Sequence, residues 1–210
     1  KQNFETVDLY SEKITNLVIA SNEILEDNDY DLEGFLKQEL TDSLARSLDK
    51  LIVKGNSKLK GLDGVNESEG AHKVVQSSNG VISADDIVDI YHALPLAYRK
   101  DACWILNDQT CKALSKLKDS QDRPLLVNSY ADVPFGETYR LLGKPVIVND
   151  YVDGLNAGEN KKAILFANLD KAIVVGLRHN LNIKRDDSIG FLSGTVAFRA
   201  DCRLDAVTII

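Results

Sequence analysis

The sequence contains no methionine, not even at position 1. A chain translated in full begins with one, so the expectation is a processed or truncated product. Cysteine is scarce: Cys103, Cys111 and Cys202 are the only three, and none stands in C-x-x-C spacing. That excludes a zinc ribbon or a disulfide framework. An odd number without a secretion signal predicts free, buried thiols in a reducing compartment. No run approaches the ~20 apolar residues of a membrane span, and no signal-peptide pattern opens the chain. Clustered positive charge is missing too. The net charge is −7, and the short basic groups Lys161–Lys162 and Lys184–Arg185 are offset by nearby acids, which argues against a nucleic-acid reader with a basic face.

What is present is organised around one stretch, Asp29 to Lys54. Leu32, Leu36, Leu40, Leu44 and Leu48 recur every fourth residue, and Phe35, Leu51 and Ile52 widen the stripe. That spacing stacks apolar groups on one side of an α-helix. Asp27, Asp29, Asp31 and Glu33 crowd its start, where the helix dipole favours negative charge. Gly55 follows the last apolar residue and suits the left-handed position that ends a helix. A stripe this narrow on a helix this long needs a surface to lie on.

Residues 1–20 predict a hairpin, with Val7–Leu9 as a polar first arm, a break at Tyr10–Lys13, and Ile14–Ala20 as the second arm. Ser21 to Asp27 leads into the long helix, and Ser21 with Ile24 and Leu25 predicts a short helical turn before it. From Gly55 to Gly80 the chain is rich in Gly, Asn and Ser, as in a loop that separates substructures. Ser83 and Asp86 form a capping-box pair opening a helix that Pro95 ends. Ala102–Leu106 is a continuous apolar run, as in a buried strand, and Asn107 caps the next helix. Asp119–Gly136 is irregular. Leu141–Val148 predicts a turn feeding a strand; Ala163–Phe166 and Ala172–Val175 predict two short strands. The clearest strand signal is the last. Leu192, Val196, Phe198, Ala200, Cys202 and Leu204 point one way, and Ser193, Thr195, Arg199, Asp201, Arg203 and Asp205 the other. A long helix against such a strand gives an α+β layer, with a mixed domain inserted between the two ends of the chain.

The catalytic and metal-binding patterns in the sequence are incomplete. Asp27, Asp29 and Asp31 copy the first ligands of a calcium loop, but Leu32 stands where the sharp turn needs Gly, and Gln38 cannot supply the bidentate carboxylate. Gly55–Gly61 lacks the G-K-[ST] ending of a phosphate cradle. His72, His92 and His179 form no H-x-x-H or H-E-x-x-H pair, and no G-x-S-x-G occurs. Cys103 or Cys111 with a histidine would need the fold to bring them together. The expectation is no catalytic, cofactor-binding or metal site, and no cofactor.

Read in order, four stretches resemble the major capsid protein family of tailed bacteriophages, the fold named for phage Hong Kong ninety-seven. Phe4–Leu9 with Lys13–Ile14 and Val18–Asp27 is similar to the family's extended loop and the run before its spine helix. Gly55–Gly64, with Lys60-Gly61-Leu62, is similar to the segment after that helix. Tyr98-Arg99, Ala102–Asn107 and Leu117–Asp119 resemble a middle stretch. Leu141–Val146, then Phe198-Arg199 and Arg203–Asp205, resemble the closing one. Each is weak alone; their shared order spans nearly the whole chain.

The resemblance implies an α+β capsid fold with three parts: an extended loop (1–20), a peripheral domain with the spine helix (21–65 and 185–210), and an axial domain (66–184). It implies a non-enzymatic shell subunit that meets other copies as pentamers and hexamers around double-stranded DNA. A scaffold domain, a prohead protease and a portal would be its further partners. Assembly in the bacterial host cytoplasm and residence in the virion capsid follow. The family's N-terminal arm and C-terminal tail have no counterpart here. Some members cross-link a loop lysine to an asparagine beside an acid. The matching positions are Thr6, Gly194 and Asp201, so no cross-link is expected. An encapsulin-like compartment and a small α+β enzyme with an unrecognised site are the rival readings.

Overall fold

The computed structural model describes residues 11–27, 31–55, 61–62, 82–118, 123–128, 139–155 and 161–208. The chain divides into two compact units, residues 1–52 with 175–207 and residues 53–174 with 208–210.

In the first unit, β1 (Glu12–Ser21) leads directly into the short α1 (Asn22–Glu26) and then into α2 (Leu32–Lys54). The last two residues of α2 belong to the second unit. Asp31 opens α2: its carboxylate accepts from the Gly34 amide at 2.9 Å, and its carbonyl from the Phe35 amide at 3.1 Å. Gly55, at φ +67°, takes the left-handed conformation that ends the helix. Two long strands return at the far end of the chain, β7 (Ile173–Gly190) and β8 (Thr195–Thr208), giving a three-stranded sheet in the order β1-β8-β7. β1 runs antiparallel to β8, with Glu12 opposite Leu204 and Ser21 opposite Thr195.

One face of this sheet carries α2. Leu40 and Leu44 are buried against Val196, Phe198, Ala200, Cys202 and Leu204 of β8. Ile14 and Val18 of β1, with Leu36, Leu48 and Leu51, close the cluster. Asn16 of β1 bonds Ser43 of α2 at 3.0 Å. Each fully buried Leu or Phe contributes roughly 1.5–3 kcal/mol. Arg185 of β7 bridges to Glu33 of α2 at 2.9 Å, and Glu33 also meets Lys37 at 2.7 Å.

Five details depart from the sequence expectations. Phe35 is 58% exposed, because it sits about 100° around the helix from Leu36 and so leaves the buried stripe. Leu192 does not face the core with Val196. It lies in the turn between β7 and β8, where strand alternation no longer applies. Asp205 is buried although its neighbours in the alternation, Arg199 and Arg203, are exposed. The short strand expected at Ala172–Val175 is the start of the 18-residue β7. Its later part mixes Leu and Ile with Arg, Asn, Lys and Asp too evenly to signal a strand. The first arm of the expected hairpin, Val7–Leu9, lies outside the described residues. Glu12 and Lys13 belong to β1 rather than to its turn.

In the second unit, β2 (Cys103–Leu106), β3 (Leu126–Asn128), β4 (Tyr139–Leu141), β5 (Lys144–Val148) and β6 (Ile164–Ala167) form a sheet in the order β3-β4-β5-β2-β6. Only β2 and β5 are parallel. All four residues of β2 are buried, as its unbroken apolar run predicts for a strand covered on both faces. On one face, Trp104 and Leu106 meet Ile87 of α3 (Ala84–Ala93) and Cys111 and Leu114 of α5 (Asp108–Ser115). Trp104 stacks on Phe166 at 4.2 Å and donates to the Leu141 carbonyl at 3.0 Å. On the other face, Cys103 and Ile105 meet Val53 and Val152, and Lys54 pairs with Asp153 at 2.7 Å.

The Ser83–Asp86 capping box opens α3, and Asn107 caps α5 through the Gln109 amide at 3.0 Å. Arg99 of α4 (Leu96–Arg99) folds back to the Leu94 carbonyl at 2.6 Å and stacks over Tyr91. A two-residue turn, Leu142-Gly143, joins β4 to β5, and a four-residue helix, α6 (Leu169–Ala172), precedes β7.

Candidate assembly surfaces

Among the described residues, the candidates for chemistry take structural roles. Asp31 is engaged as a helix cap, and Asp29 and His72 lie outside the described residues. Cys103 donates to the Ala167 carbonyl at 3.7 Å, and Cys202 to the His179 carbonyl at 3.2 Å. His179 thus meets Cys202 through its backbone carbonyl. Burial pushes the Cys103 and Cys202 thiols up, away from the reactive thiolate. The His92 ring meets Arg99 at 3.3 Å and the edge of Tyr91. Among the described residues, no group of three or more His, Cys, Asp or Glu is placed to hold a metal.

Of the cross-linking positions, Thr6 lies outside the described residues. Gly194 closes the turn between β7 and β8 at φ +63°, and its carbonyl accepts from the Asn22 amide at 2.8 Å. Asp201 accepts from Arg199 at 3.0 Å.

The surfaces are more informative than the cores. The β7–β8 turn presents Phe191 and Leu192, 85% and 100% exposed, at its tip. Along β1, burial alternates. Ile14, Asn16 and Val18 face α2, so Lys13, Thr15, Leu17 and Ile19 face away, and Leu17 and Ile19 are 56% and 60% exposed. Among the described residues, β1 and β7 are the two edges of their sheet. Open edges and exposed aliphatics on a folded unit mark surfaces that a partner covers.

A profile of the phage capsid family matches residues 1–209. The chain belongs to the phage capsid family. It is a structural capsid subunit of the Hong Kong ninety-seven-type α+β fold. No curated protein matches it. Among solved structures, it is similar to the capsid of a native GTA particle at 25% identity and TM-score 0.73, covering 95% of this chain and 69% of that one. It is similar to a chain of Microbacterium phage Oxtober96 at 17% identity and TM-score 0.65, covering 96% and 67%. It is also similar to the holo-SrpI encapsulin complex of Synechococcus elongatus PCC 7942 at 16% identity and TM-score 0.66, covering 95% and 70%. The capsid subunit thus shares its fold with phage shells and with an encapsulin. The signal in the sequence was the order of its four weak stretches rather than any single residue.

Proposed function

We propose that this capsid subunit builds an icosahedral shell of pentamers and hexamers around double-stranded DNA. The observation that carries the proposal is the exposed apolar surface of the first unit: Leu17 and Ile19 on the outer sheet face, and Phe191 and Leu192 at the hairpin tip. Such groups gain burial on other copies, and rings of one subunit type require heterologous contacts. In this reading residues 1–20 are the extended loop, 21–65 with 185–210 the peripheral domain, and 66–184 the axial domain. The role is structural and not enzymatic. A scaffold domain, a prohead protease and a portal act as assembly partners in the bacterial cytoplasm. The acidic balance suits a wall that encloses DNA without gripping it, since phosphate contacts need clustered cations.

The test is electron microscopy and light scattering of the intact gene product expressed alone. Closed shells are expected, and monomers under every assembly condition would overturn the proposal. The likeness to the holo-SrpI encapsulin favours a second reading, a compartment that stores cargo. Purified particles filled with protein rather than DNA would decide for it. Because Thr6 and Gly194 replace the lysine and asparagine of the cross-link, denaturing gels of assembled particles should show single subunits. A ladder of covalent oligomers would refute that.

A further inference from the structure

The register of the first unit places two cations face to face. Lys13 of β1 stands directly opposite Arg203 of β8. Both are exposed, and both belong to the sheet face turned away from α2. Like charges directly opposed on antiparallel strands destabilise the pair. Among the described residues, neither has a carboxylate partner. Of the two acids that alternate with Arg203 along β8, Asp201 opposite Thr15 is already held by Arg199 at 3.0 Å, and Asp205 is buried at 2% exposure. Two steps along β1, Leu17 and Ile19 stand exposed on the same face. The face therefore combines uncompensated positive charge with aliphatic surface that lacks cover.

We propose that this face, Lys13 and Arg203 beside Leu17 and Ile19, docks a carboxylate-bearing apolar surface of a second copy of the chain. The inference rests on the shell-forming reading and names one of its contacts. Charge complementarity identifies the occupant. The chain carries 32 acidic against 25 basic residues, so a sister copy offers many carboxylates to meet this local excess of cations. Nucleic acid fits less well, because a phosphate backbone gains nothing from Leu17 and Ile19.

The substitution Lys13→Glu separates docking from folding. It sets an acid opposite Arg203 within one chain, so the free subunit should melt at or above the wild-type temperature. The docking face meanwhile loses its excess charge, and particle yield should fall about tenfold or more. Leu17→Ser with Ile19→Ser should lower the yield similarly while leaving far-UV circular dichroism intact. Assembly of both variants at wild-type yield overturns the proposal. Normal assembly of Lys13→Glu with weakened binding of duplex DNA also overturns it, in favour of a phosphate contact.

A second measurement does not depend on shells. Mixed light and heavy isotope-labelled wild-type protein is treated with a zero-length carbodiimide, which joins Lys13 to any carboxylate in contact. Peptides linking Lys13 of one isotope to an acid of the other support docking, even where only small oligomers form and the shell reading fails. Their absence at protein concentrations that give oligomers overturns docking while leaving the shell reading standing.

Discussion

Replacing Leu40 with alanine tests whether the α2 stripe is what holds the first unit together. Leu40 is 1% exposed and packs with Leu44 against β8. The change deletes three carbons, about 2.4 kcal/mol at ~0.8 kcal/mol per buried methylene. The cavity left beneath Phe198 and Ala200 adds to this, so the total is about 3–4 kcal/mol, within the usual range for buried Leu→Ala. Alanine's slightly better helix propensity returns only a few tenths. At roughly 2–4 °C per kcal/mol for a chain of this size, the melting temperature should drop by about 6–16 °C. Phe35→Ala is the control: on the sequence pattern it belongs to the stripe, but in the fold it faces solvent, and its cost should stay within about 0.5 kcal/mol. Urea denaturation followed by far-UV circular dichroism measures both. The single tryptophan, Trp104, buried in the second unit, supplies a separate fluorescence probe of that unit. A cost for Phe35→Ala equal to that of Leu40→Ala, or a Leu40→Ala cost below about 1 kcal/mol, would refute the assignment of α2's buried face.

Three smaller tests address local features. Asp31→Ala removes the side-chain cap of α2 and should cost about 1 kcal/mol by chemical denaturation; no loss would mean that the Gly34 amide is equally well satisfied by water. Leu142 holds φ +49° in the tight turn before Gly143, a conformation that costs a non-glycine residue about 1–2 kcal/mol. Leu142→Asn should therefore raise the melting temperature by a few degrees, and a decrease would show that the exposed Leu142 is needed for packing. Lys37, and after it Arg185, hold the Glu33 carboxyl below its usual value. Its stabilising contribution is present above the unfolded carboxylate range and is lost as pH falls through the lowered folded value. Glu33→Gln should thus melt slightly below wild type at neutral pH, and the difference should close in acid and in high salt. A difference independent of pH would mean that the side chain acts by packing alone.

Much of the fold was legible because it rests on local chemistry. The helix over Leu32–Lys54, the capping box at Ser83, the cap at Asn107 and the left-handed Gly55 each need only neighbours within a few residues. The buried β2 was legible because a strand covered on both faces cannot alternate. β7 was not, because its residues are exposed on both sides and its strand character comes from pairing with β8. Phe35 and Leu192 were misplaced for a related reason. Polarity patterns register which side chains are apolar, whereas the fold decides which of them find cover.

The same distinction explains why the assembly surface was hidden. In the sequence, Ile14 to Ala20 reads as one apolar strand, and nothing separates Ile14 and Val18 from Leu17 and Ile19. The sheet separates them, burying the first pair under α2 and turning the second outward. The opposed cations are still less visible, since Lys13 and Arg203 become neighbours only through the register of two strands at opposite ends of the chain. A monomer selected to remain alone would gain from an acid at either position, because the like-charge pair weakens its own sheet. Two unrelieved charges beside two uncovered aliphatics are therefore costly to the isolated subunit, and a sister subunit that supplies carboxylates and apolar cover offsets both costs at one contact.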